Sequence, residues 1–142
     1  MTEPLDPLLD EVAEQGWELN GPADPGALAR VDGWFRARTG GVLPAAYRGL
    51  LARTDGLDFN GSMLYATRDG RNVGGMFVAG VVESNERLGD PSGTWVGEAN
   101  GDLFGVRAGA WVVADRGSRQ VLAQYDGATA LLTHVLRKYL DT

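Results

Sequence analysis

The sequence predicts an α+β domain, with N-terminal helices, a mostly antiparallel sheet of about six strands and a C-terminal helix. Two observations carry this. Apolar residues recur every three or four positions up to about residue 56 and again after Gly127. Between those regions, short apolar and aromatic runs alternate with turn dipeptides. The length, 142 residues, suits a single domain over residues 1–142 with a core of its own. The 21 glycines fit a chain with many turns.

The elements follow in order. Asp6-Pro7 reads as a helix start, with Asp as cap and Pro at the first helical position. Leu5, Leu8, Leu9 and Val12 then fall on one face, and Gly16 stops the helix. Trp17 and Leu19 suggest a short extended piece before the loop Asn20–Ala23. Asp24-Pro25 repeats the start signal. Leu28, Val31, Trp34 and Phe35 form the stripe of the second helix, which Gly40-Gly41 ends. Leu43-Pro44 begins a third helix, with Tyr47, Leu50 and Leu51 inward and Arg48 and Arg53 outward, closed by Thr54-Asp55-Gly56. From residue 57 the period becomes strand-like. The expected strands are Met63–Ala66, Met76–Glu83, Trp95–Ala99, Leu103–Arg107, Trp111–Ala114 and Gln120–Tyr125. Asp69-Gly70, Asp90-Pro91, Asn100-Gly101 and Arg116-Gly117 separate them. A last helix over Ala128–Leu140 places Leu131, Leu132, Val135, Leu136 and Tyr139 on one face.

Composition removes several chemistries. Cysteine is absent, so disulfides, thiolate nucleophiles and cysteine-based zinc or iron–sulfur sites are excluded. The start MTEPLDPLLDEV carries acids and two prolines where a signal peptide needs basic residues and an apolar run. The longest apolar stretch, Met76–Val82, is about a third of what a membrane helix needs. The expected address is the cytoplasm. A net charge of −6 repels a phosphate backbone over most of the surface, so no direct nucleic-acid contact is expected. It attracts a basic protein partner, although acidic surfaces also simply keep proteins soluble.

The stretch WVGEANGDLF holds two carboxylates, Glu98 and Asp102, around Asn-Gly. Asn-Gly between apolar runs marks a hairpin turn, because both residues tolerate positive φ; a three-residue loop would move Asp102 into the turn without pairing it with Glu98, and a two-residue loop sets the following register. Ala99 then faces Asp102, Glu98 faces Leu103, Gly97 faces Phe104 and Trp95 faces Val106. On that register Trp95, Phe104 and Val106 share a face with Asp102, while Glu98 points to the other. A general acid and base must converge on one substrate, so this pair reads as a turn with a charged rim.

The remaining candidates give little chemistry. His134 is the only histidine, and it falls beside Thr133, Arg137 and Lys138, away from the leucine face. No metal is expected, since no ligand spacing such as HExxH occurs, and no GxSxG elbow marks a nucleophile. Asp69–Gly75 is glycine-rich but lacks the lysine and spacing of a phosphate loop, and reads as a turn into a strand. Trp17, Trp34, Trp95 and Trp111 sit in apolar patterns and read as core. Glu83–Arg87 reads as an exposed turn or short helix start, or else as an acidic contact surface beside the sheet.

The order of these pieces resembles a known family. Leu43-Pro44-Ala45-Ala46-Tyr47-Arg48, then Leu50-Leu51 and Thr54-Asp55-Gly56, is similar to the LPxxYxxLLxxTxG opening of the SUKH superfamily. That superfamily takes in fungal cell-wall-assembly regulators and many bacterial relatives. Leu64-Tyr65 resembles its first sheet strand, Val82-Glu83-Ser84-Asn85 its VExN-like element, and residues 95–104 its IGxxxGDxx hairpin. The resemblance covers about residues 25–140; the Leu5–Gly16 helix lies outside it. It implies an immunity protein that binds a polymorphic bacterial toxin, often a nuclease, and blocks it by occlusion without chemistry or cofactor. The expected contact residues are Asp55, Asp58, Glu83, Glu86, Glu98 and Asp102. A regulatory or scaffold module is the second reading. A small enzyme working with carboxylates alone is the third, and it requires several of these acids in one cleft.

Overall fold

The structure, a computed structural model, describes residues 4–140. The first three residues of the acidic N-terminal stretch lie outside the described residues. Three helices come first: α1 (Asp6–Glu14), α2 (Pro25–Thr39) and α3 (Ala45–Arg53). Strands β1 (Leu57–Phe59) and β2 (Ser62–Leu64) open the sheet. A short hairpin, β3 (Gly70–Arg71) and β4 (Phe77–Val78), leads into α4 (Val81–Leu88). Strands β5 (Gly93–Ala99), β6 (Asp102–Arg107), β7 (Ala110–Asp115) and β8 (Val121–Tyr125) complete the sheet, and α5 (Ala128–Leu140) closes the chain. The main sheet is antiparallel throughout, in the order β1-β2-β5-β6-β7-β8. The fold is α+β.

The helical stripes pack as their periodicity requires. Leu5, Leu8, Leu9 and Val12 of α1 are buried, as are Leu28, Val31 and Phe35 of α2, Tyr47, Leu50 and Leu51 of α3, and Leu131, Leu132, Val135, Leu136 and Tyr139 of α5. They join Leu57, Phe59, Leu64 and Phe104 of the sheet in one core. Asp24 caps α2 by accepting from the Ala27 amide. Asp6 does not cap α1. It sits in the first turn, where its carboxylate pairs with Arg53, and Leu5 takes the cap position. Trp95 is fully buried, Trp34 and Trp111 are half-buried, and Trp17 is 39% exposed, its edge against Phe59. No extended piece forms at Trp17 and Leu19.

The expected strand Met76–Glu83 is the main correction. Only Phe77–Val78 pairs as strand, and Val81 begins a helix. Val81, Ser84 and Asn85 share the buried side of α4, and Gly89, at φ 61°, stops it in the left-handed conformation. The β-branched pair Val81-Val82 favours a strand locally, but this helical face outweighs it. Glu83–Arg87 is therefore helix, and β1 is a strand that the sequence pattern does not announce.

The Asn100-Gly101 turn has φ 50° and 86°, as a type I′ hairpin needs. Ala99 faces Asp102, Glu98 faces Leu103 and Gly97 faces Phe104. A bulge at Val96 then shifts the register, so that Trp95 faces Gly105 and Thr94 faces Val106. Residues opposite one another share a face, so Trp95 leaves the face of Phe104. Gly105 must lack a side chain: a Cβ there would lie 2.2 Å from the Thr94 carbonyl oxygen. The Asn85 side chain accepts from the Trp95 amide at 2.8 Å and donates to the Trp95 carbonyl at 2.8 Å, in the manner of a neighbouring strand.

Candidate functional site

Helix α5 packs on β7 and β8, α3 packs on α5, and α2 packs on α3, so helices cover one face of the sheet. The other face carries a cleft of about 480 Å³. One row of side chains crosses its floor, because Asp58 pairs with Met63 and Met63 pairs with Glu98. Neighbouring strands lie about 4.8 Å apart, so Asp58 and Glu98 stand roughly 10 Å apart at the backbone with Met63 between them. Phe77, Ala79 and α4 wall the cleft on one side, and Arg116 borders it beyond the hairpin turn.

The charges in the cleft are unequally satisfied. The Tyr65 hydroxyl donates to Glu98 Oε1 at 2.8 Å, and Arg116 donates to Glu98 Oε2. Burial, then the Glu98 carboxylate, push the Tyr65 phenol well above its ordinary value, so it stays a hydrogen-bond donor. Tyr47, fully buried, holds this strand end by donating to the Tyr65 carbonyl at 2.5 Å. Arg87 grips Asp69 with both terminal nitrogens, at 2.7 and 3.1 Å. The Asp58 carboxylate has neither ion pair nor hydrogen bond among the described residues, and burial raises it above the ordinary value.

An exposed apolar tip stands beside the cleft. Asn72 folds the β3–β4 turn by accepting from the amides of Gly74 and Met76, both at 2.9 Å. The tip presents Val73, Met76 and Phe77 at 57, 64 and 51% exposure. Another hollow of about 280 Å³ is lined by Trp17, Glu18, Asp58, Val73 and Met76. Asp58 thus borders both concavities.

Of the six acids nominated from the sequence, the structure brings two, Asp58 and Glu98, into one cleft. Asp55 is engaged elsewhere, accepting from the Thr67 amide at 2.7 Å and hydroxyl at 3.0 Å. Glu83 accepts from the Asp69 amide at 2.9 Å, at the start of α4. Glu86 is exposed on α4. Asp102 shares the face of Ala99, opposite to Glu98. The sequence reading missed Tyr65, Arg116, Met63 and Phe77. Strand alternation could have placed Tyr65 with Met63, two residues before it. No local signal exposes Phe77, which sits in the longest apolar run. Among the described residues, no three His, Asp or Glu side chains group so as to hold a metal ion, and no helix is long and apolar enough to cross a membrane.

No family model matches the chain, and no curated protein matches it. The geometry of the cleft and tip therefore carries the functional argument. Carboxylates beside exposed apolar side chains can bind a basic, partly apolar surface.

Proposed function

We propose that this chain is a SUKH-type immunity protein of the cytoplasm, which binds a bacterial toxin domain and covers its active surface. One observation supports this reading above the others: an exposed apolar tip lies beside a cleft that holds the carboxylates Asp58 and Glu98 together with Arg87 and Arg116. A nuclease surface is basic because it handles phosphates, and a net charge of −6 favours approach to it. The exposed Val73, Met76 and Phe77 would provide the apolar centre of the interface, with acids at its rim. Inhibition is by occlusion, and the protein itself performs no reaction.

The test is co-purification with the C-terminal domain encoded immediately upstream, followed by rescue of its toxicity. A stable complex with rescue is the expected result. Reversing Asp58 and Glu86 together to lysine weakens the complex by about tenfold or more while the fold is kept. Full protection by that double variant would move the contact surface elsewhere. No complex and no rescue would favour the regulatory scaffold reading.

A further inference from the structure

We infer that the cleft is a socket for an arginine side chain of a protein partner, with Asp58 as the carboxylate that receives it. This rests on the binding reading above and names the chemistry of the bound group. Charge in the cleft is incompletely met. Four charged side chains line the cleft: Asp58, Arg87, Glu98 and Arg116. Arg116 is paired with Glu98 and Arg87 with Asp69. Asp58 alone lacks a partner among the described residues, although it is half-buried at the centre of β1. A half-buried carboxylate without a donor is unfavourable in the free protein, and an incoming cation relieves that cost.

The surroundings suit arginine. A guanidinium meets a carboxylate with two parallel donors and stacks on an aromatic face. Phe77 stands on the wall of the same cleft, half-exposed, and Met63 lies on the floor beside Asp58 as a surface for the aliphatic stem. A free small cation would leave the neighbouring tip bare. A protein segment would cover Val73 and Met76 as well, because Asp58 borders the hollow on their side of the tip too.

The test is a nuclear magnetic resonance titration of the full chain with the blocked peptide Ac-Gly-Arg-Gly-NH2. Its counterpart with neutral citrulline in place of arginine is run in parallel. The expected result is saturable shifts at Asp58, Met63 and Phe77, with affinity reduced about fivefold by citrulline or by Asp58→Asn. Glu14→Gln, at an exposed position of α1, leaves the affinity unchanged. Equal affinity for the wild type and Asp58→Asn, or shifts confined to other surfaces, would overturn the socket. The toxin-domain complex gives the second arm. A complex whose dissociation rate ignores Asp58→Asn sinks the socket and leaves the immunity reading standing. Peptide binding lost in Asp58→Asn, without any toxin complex, keeps the socket and sinks the immunity reading.

Discussion

Asp90 and Asp58 are both half-buried carboxylates, and their surroundings drive them in opposite directions. Burial raises Asp90, but hydrogen bonds from the Ser92 hydroxyl and amide, the Trp95 indole and Arg119 outweigh it and hold its value down. Asp58 has burial alone and is raised. A lowered carboxyl stabilises the fold above its unfolded value and loses that contribution as pH falls through its folded value. Asp69 is lowered chiefly by Arg87, Asp115 by the Ser118 amide and Asp32 by the Leu43 amide. Together with Asp90 they predict acid unfolding below the ordinary carboxyl value of 3.8. Asp58 has the reverse sign: its ionisation costs stability as pH rises through its raised value. Asp58→Asn therefore raises the melting temperature at pH 7 by about 1–3 °C, and the gain vanishes near pH 3. Melting curves of both proteins across that range check this. Charge alone was enough to nominate Asp58 and Glu98 from the sequence. Alternation along the strand could have put Tyr65 on the face of Met63, but Arg116 was not legible, because turn geometry rather than spacing brings it to Glu98.

The β5–β6 hairpin and α4 differ in how far local chemistry determines them. Asn100-Gly101 fixes the turn, so the pairing from Ala99 to Gly97 follows from two residues. The bulge at Val96 does not, because it depends on contacts from elsewhere in the chain: the bare Gly105 under the Trp95 ring and the Asn85 amide along the Trp95 backbone. The same distance effect hides α4, whose two valines favour a strand until the buried side of the helix is counted. Asn85 also donates to the Val81 carbonyl at 2.7 Å, so one side chain ties α4 to β5. Asn85→Ala leaves the Trp95 amide and carbonyl without that partner. The expected loss is about 2–4 kcal/mol in urea unfolding, with the two-state form kept. A loss under about 0.5 kcal/mol would mean that the link between α4 and β5 is held by something else.

Across the whole molecule, every neighbour in the main sheet is also next in sequence, except at β2 and β5. The chain leaves the sheet after β2, builds β3, β4 and α4, and returns to the strand beside the one it left. Fold class, the helices other than α4 and the later strands were readable because their periodic patterns are long. This excursion was not, because its two-residue strands are too short to show a period. Its base is pinned by the β2–β5 ladder, and its tip carries the exposed Val73, Met76 and Phe77. Inserting four glycines between Val73 and Gly74 should lower stability by no more than about 1 kcal/mol, since closure entropy grows slowly with loop length. Equilibrium unfolding of the insertion variant measures this. The tip is therefore free to diversify: descendants can exchange its side chains or its length, and so acquire new binding preferences, while the sheet beneath is inherited unchanged.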